Sequence, residues 1–158
     1  MSLTRIIYYS VRDASVPLDV SCLLAQCHKA NAHERITGFL YYSGTYFIQV
    51  LEGSRTGVNE LYHRIAADKR HTRLMILQCA DVHERRFPNW TMGFQDGMDD
   101  CLEDLFLRYF ASTHLDSATV NVDSLLLLLR DLATESADRA LAALMAKDAA
   151  NNAPRVNA

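Results

Sequence analysis

Short β-branched and aromatic runs occupy the first two thirds of the chain, and leucine-rich helical patterns take over after them. Ile6-Ile7-Tyr8-Tyr9 predicts a strand over about residues 4–10. Ser15-Val16-Pro17 predicts a helix start with proline near the first helical position, and Leu18, Cys22, Leu23 and Gln26 keep helical spacing over about 18–30. Thr37 to Tyr42 predicts a second strand, Ser43-Gly44-Thr45 a hairpin turn, and Tyr46 to Leu51 a third strand. A second helix follows Gly53, with Ser54 as its cap and Val58, Leu61 and Ile65 as its apolar stripe. Leu74–Leu77 and Thr91–Phe94 predict two further strands.

That order, βαββαββ, predicts an α+β fold of ferredoxin-like type: a mixed sheet with two helices on one face, over about residues 1–97. Residues 98–150 predict a helical extension, with helices over Asp99–Phe110, Asp123–Ala133 and Ser136–Ala149, the last two either separate or continuous. Asn121 or Asp123 caps the leucine-rich segment, and 151–158 is expected to be a disordered tail. The run Leu125–Leu129 puts leucine all round its helix, which requires burial from several sides. These helices are therefore expected to pack across the sheet face that the first two leave bare.

Net charge and cysteine usage narrow the function classes. A formal charge of −3 over 158 residues argues against a nucleic-acid binder. The basic residues are scattered, apart from a modest stretch from Arg64 to Arg86. Cys22, Cys27, Cys79 and Cys101 form no C-x-x-C pair and no zinc-type cluster, so buried apolar thiols in a reducing compartment are expected. Neither a signal-peptide h-region nor a run of membrane-spanning length occurs, which predicts a soluble, cytoplasmic protein.

Period two places Ile6, Tyr8 and Ser10 on one face of the first strand, and Phe47, Gln49 and Leu51 on one face of the third. In a ferredoxin-like sheet these strands are central neighbours. Tyr8 and Gln49 are then a phenol and an amide inside an apolar helix–sheet layer, where an unpaired polar group costs about 1–3 kcal/mol. Strand geometry alone favours mutual satisfaction of the two, and Asn31 alone is an ordinary helix terminus.

The segments Ile6–Ser10, Asn31–Gly38, Phe47–Gly53, Ala67–His71 and Arg86–Met92 together closely resemble the BLUF photoreceptor domain, in order and spacing, over roughly residues 4–96. The resemblance implies a non-covalent flavin, FAD with FMN as the alternative, held between the two helices. It implies that Asn31 bonds the pyrimidine edge, that Gln49 bridges Tyr8 and the flavin, and that Ile36, Phe47, Leu23 and Leu24 form apolar walls. Lys69, Arg70 and His71 would neutralise the flavin phosphates. Tyr8 and Gln49 would be photoactive through electron transfer and a rearranged hydrogen bond. Trp90 and Met92, expected to share one face of the last strand, would relay the change, with Trp90 a competing electron donor. Ala30 departs from the polar residue that many family members carry before the asparagine.

The chain is accordingly expected to be no enzyme but a blue-light receptor that signals through its C-terminal helices to a separate effector protein, as a homo-oligomer. The competing expectations are an acylphosphatase-like hydrolase or a flavin-free interaction module. Arg12, in the loop Ser10–Val16, lacks the glycines of a phosphate nest, and the acidic balance opposes RNA stacking on Tyr46 and Phe47. His83-Glu84-Arg85-Arg86 is expected to be a solvated loop of mixed charge.

Overall fold

A computed structural model describes residues 2–97 and 102–151. The elements are β1 Leu3–Arg12, α1 Val20–Glu34, β2 Thr37–Tyr42, β3 Tyr46–Ser54, α2 Arg55–Ala66, β4 His71–Val82, β5 Gly93–Asp96, α3 Glu103–Tyr109 and α4 Val122–Asn151. The five strands form one sheet in the order β4-β1-β3-β2-β5. All pairings are antiparallel except β2 with β5, which is parallel. This is the expected five-stranded ferredoxin-like arrangement, with β5 at the edge beside β2.

Local chemistry sets the helix boundaries. The α1 cap is Asp19, whose carboxylate accepts from the Cys22 N–H at 3.0 Å, so the helix begins at Val20 and Pro17 stays outside it. It runs on to Glu34, past the expected end near residue 30, and Arg35 at φ 54° turns the chain into β2. Ser54 caps α2 as expected, accepting from the Gly57 N–H at 3.1 Å. Asn121 caps α4 through the Ser124 N–H at 2.9 Å. The two predicted C-terminal helices are one continuous helix, because nothing between Ala133 and Ser136 breaks it. Of the helix expected over Asp99–Phe110, the stretch Glu103–Tyr109 is α3, while Asp99 to Cys101 lie outside the described residues.

The sheet divides two apolar layers. Ile7, Phe39, Tyr41, Ile48 and Val50 face Leu105 and Phe106 of α3 and Leu125, Leu126, Leu128, Leu129 and Leu132 of α4. Each such leucine contributes about 1.5–3 kcal/mol when removed from water. Four residues of the run Leu125–Leu129 are buried, and Leu127 is 37% exposed. Ser136 fastens α4 to β5 by donating to the Phe94 carbonyl at 3.1 Å. On the opposite face Ile6, Tyr8, Leu40, Phe47 and Leu51 pack with Ile36, Val58 and Met92 beneath α1 and α2.

Four expectations change. β4 extends over twelve residues, since backbone pairing with β1 continues beyond the apolar stretch Leu74–Leu77. β5 begins at Gly93, and Trp90-Thr91-Met92 form a bend ahead of it, with the Trp90 carbonyl accepting from the Gly38 N–H at 2.9 Å. Outside strand geometry, Trp90 and Met92 do not share a face: Trp90 packs against the α3/α4 layer and Met92 against the α1/α2 layer. Gly93 permits this, because a Cβ there would sit 2.5 Å from the Phe39 ring and 2.6 Å from Trp90. Cys22 and Cys79 are exposed rather than buried, and Cys101 lies outside the described residues.

Candidate functional site: a cleft between two helices and the sheet

The floor of the site is made by strand register. Tyr8 lies opposite Gln49 across β1 and β3, and Gln49 lies opposite Leu40 across β3 and β2. Both polar residues are buried, so each must find a partner. The Tyr8 hydroxyl donates to Gln49 Oε1. Gln49 Nε2 in turn donates to Met92 Sδ at 3.1 Å. A phenol, an amide and a thioether thus form one directed chain across the sheet.

The floor opens into a cleft of about 230 Å³. Leu23, Gln26, Cys27, Ala30 and Asn31 of α1 form one wall, and Leu61, Arg64 and Ile65 of α2 the other. Asp68, Arg70 and His71 close the end beyond α2. Asn31 is buried, and its Nδ2 donates to the Thr91 carbonyl at 2.8 Å, which leaves its own amide oxygen free to accept. His28 reaches the same residue, with Nδ1 and the Thr91 hydroxyl 2.7 Å apart.

Burial governs the protonation states. It holds the Tyr8 phenol well above its ordinary pKa, with Cys27, Tyr62 and Asp68 adding to the effect. Tyr8 is therefore a neutral donor at any physiological pH. His71 is 2.8 Å from the Ser10 hydroxyl and packs on Phe47 at 4.6 Å between ring centroids. Burial lowers its pKa to about 4, so the imidazole is uncharged at neutral pH. The hydrogen bonds from Arg70 hold Asp68 below the usual carboxylate range. The Arg70 guanidinium is committed to that carboxylate, with Nε 3.0 and 2.9 Å from its two oxygens.

The fold brings Tyr8, Leu23, Asn31, Gln49, Arg70 and His71 together around the cleft. Ile36, Phe47, Leu24 and Met92 stand behind its lining, in the same apolar layer. Lys69 is exposed and does not line the cleft, and Trp90 lies on the far side of the sheet. Gln26, Cys27, Ala30, Leu61, Arg64, Ile65 and Asp68 also line it. Helical spacing from Leu23 and from Leu61 is the signal that finds most of these.

A second constellation lies across the sheet. Glu52 is fully buried, and its carboxylate accepts from Arg5 Nε at 2.7 Å, Arg86 N at 2.9 Å and Phe87 N at 3.0 Å. Arg85 adds bonds to the Thr37 hydroxyl at 2.8 Å and the Arg35 carbonyl at 2.7 Å. The stretch His83–Arg86 is the expected exposed loop of mixed charge in His83, Glu84 and Arg86, with the Arg85 side chain turned back onto the sheet. Its second half is clamped to the sheet, and it carries the bend that holds Trp90 and Met92.

A ferredoxin-like sheet with an apolar cleft under two helices, floored by a polar pair, defines an α+β domain built to hold a small ligand. The chain belongs to the BLUF family: the family model, described as sensors of blue-light using FAD, matches residues 3–93. The chain is 36% identical over 93 residues to the photoactivated adenylate cyclase subunit beta of Euglena gracilis, a match covering 58% of this chain and 11% of that protein. It thus spans about a tenth of that relative. Among solved structures it is similar to the photo-activated state of BlsA, with TM-score 0.73 and 27% identity over 83% of this chain and 94% of that one. It is also similar to the dark state of the BLUF protein BlrB, with TM-score 0.61 and 29% identity over 82% and 96% of the two chains. The family cofactor is FAD, and a flat polycyclic ring suits a cleft walled by Leu23, Leu61 and Ile65 with the free Asn31 oxygen at its edge. No helix among the described residues is long and apolar enough to cross a membrane.

Proposed function

We propose that this chain is a blue-light receptor whose response begins in the hydrogen-bonded chain Tyr8–Gln49–Met92 and leaves through the C-terminal helices. The observation that carries the reading is that chain itself, fully buried and opening onto a cleft lined for a flat ligand. Bound flavin supplies blue-light absorption and an excited state that accepts an electron. The residues do the rest. Tyr8 gives up an electron, and its hydroxyl proton has one path, along its bond to Gln49 Oε1. A phenol that has lost an electron is strongly acidic, so the two movements are coupled. Protonation of the carbonyl oxygen changes which Gln49 atoms donate and accept, and the donation to Met92 Sδ changes with them.

Leu23, Leu24, Ile36 and Phe47 serve as apolar support, and Asn31 holds the ligand edge. Trp90, packed with Phe39 at 6.2 Å between rings, belongs to the output side. The bend carrying Met92 also carries Trp90, which lies beside Ala133 and Ala137 of α4. A change at Gln49 thereby biases a packing equilibrium at α4, and a partner that prefers one packing reads it. That partner is a separate effector or a second copy. The far part of α4, with Leu141 57% and Met145 65% exposed, is the surface offered to it. The chain has no catalytic step of its own in this reading, and residues 1–97 sense while 98–150 transmit.

The test is spectroscopic. Purified protein should be yellow and should show a red shift under blue light that reverses in the dark. A folded, colourless protein after flavin addition ends the proposal. A chain truncated near residue 97 should keep the shift and lose light-dependent association; association that persists would assign the output elsewhere.

A further inference from the structure

Oxidised Tyr8 has neighbours other than Gln49. Among the described residues two rings pack on its own: Tyr62 of α2, edge-on with centroids 5.7 Å apart, and His71 at 6.3 Å. Trp90, a readily oxidised ring nearby in sequence to Met92, sits across the sheet with Phe39 in the α3/α4 layer. The sheet backbone separates it from Tyr8. Of the two rings in contact, an imidazole is much harder to oxidise than a phenol. Tyr62 is therefore the ring best placed to give Tyr8 an electron.

The two phenols differ in what their protons can do. Tyr8 is fully buried, and its hydroxyl proton is directed to Gln49 Oε1. Tyr62 is half-buried on the helix whose Leu61 and Ile65 wall the cleft, so water can take its proton. A phenol that loses an electron must shed its proton, and holding the charge meanwhile costs more in a dry site than in a wet one. Burial also holds the Tyr8 pKa well above its ordinary value, in line with that contrast. An oxidising equivalent on Tyr8 thus runs downhill to Tyr62.

We propose that Tyr62 is a second electron donor, which re-reduces oxidised Tyr8 and carries the oxidising equivalent to the protein surface. This rests on the flavin reading of the cleft and adds a second fate for the charge that light separates. In the first fate the charge recombines at Tyr8 while Gln49 rearranges. In the second, Tyr62 gives one electron to the Tyr8 radical, Tyr8 takes its proton back from Gln49, and Tyr62 releases its own proton to water. Tyr8 is then a whole phenol again, and a neutral radical stands on Tyr62. That turnover leaves the bond from Gln49 to Met92 as it was, and the radical is open to a reductant or a trap in solution.

The experiment illuminates the flavin-loaded chain under argon with a water-soluble nitroso spin trap, then digests it and locates the covalent adduct by mass spectrometry. The wild type should carry the adduct on Tyr62. Tyr62→Phe should remove it, bind flavin as the wild type does, and give a larger red shift per absorbed photon. Tyr8→Phe, which keeps the flavin, should also lose the adduct on Tyr62, because the oxidising equivalent arrives only through Tyr8. Trp90→Phe should keep it. A wild type that shifts its spectrum but bears no adduct on Tyr62 overturns the proposal. So does an adduct that survives in Tyr8→Phe, which would mean direct oxidation of a solvent-facing ring. Both of those results leave the flavin reading intact. A wild type that takes up no flavin would refute that reading, and this proposal with it.

Discussion

Replacing Glu52 by Gln is the sharpest test of how the bend is held. The substitution keeps the shape and removes the charge. All three groups around the carboxylate are donors: Arg5 Nε and the backbone N–H groups of Arg86 and Phe87. The new NH₂ must then face a donor, and at least one hydrogen bond is lost. Arg5, 8% exposed, is left as a buried cation without its partner. Breaking one side of a buried pair costs about 3–5 kcal/mol. Against a total stability of about 5–15 kcal/mol this is a large fraction. At about 2–4 °C per kcal/mol for a chain of this size, the melting midpoint should fall by roughly 6–20 °C. The assay is thermal denaturation followed by circular dichroism, with the flavin-binding cleft kept at the same occupancy in both proteins. Arg5→Met combined with Glu52→Gln should recover part of the loss, since the unpaired charge is gone and the Gln oxygen still accepts from the backbone. A fall below about 2 °C for Glu52→Gln, or a double variant worse than the sum of the singles, would refute the account.

Tyr8→Phe removes one hydroxyl and should retain fold and flavin, at a cost of about 1–3 kcal/mol for the unpaired Gln49 oxygen; the light-induced shift should vanish in difference spectra, and a normal persistent shift would exclude Tyr8 as donor. Asn31→Ala should weaken flavin retention on dialysis and free the Thr91 carbonyl, so unchanged occupancy would reduce Asn31 to a helix terminus. His71 predicts an acid-sensitive stability. The unfolded imidazole takes a proton near its ordinary pKa of 6.5, whereas the folded one refuses it until about pH 4. The contribution is complete above pH 6.5, declines down to about 4 and then levels off, a loss of at most about 3 kcal/mol. Melting midpoints across that window should fall more steeply for the wild type than for His71→Gln; parallel curves would refute the buried neutral histidine.

The sequence by itself determined the layers, because those depend on local periodicity. Alternation in Ile6–Ser10 and Phe47–Leu51 sent Tyr8 and Gln49 to the same face, and Ser54 marked its helix start through a bond made within one turn. The leucine run likewise required a covering surface, and the sheet face of Ile7, Ile48 and Val50 supplies it. Other features depended on contacts between distant segments. Trp90 and Met92 looked like alternate residues of a strand. Their real directions follow from a bend fixed by Gly38, Asn31 and Gln49, residues 41 or more positions away. Arg85 reads as solvated because its charge suggests water, and only the fold brings the Thr37 hydroxyl and the Arg35 carbonyl to it. Arg64 lies in the last turn of α2 and lines the cleft, whereas Lys69 lies in the turn beyond the helix and does not. Where Arg64 falls is set by how α2 packs on the sheet through Val58, and no local signal carries that angle.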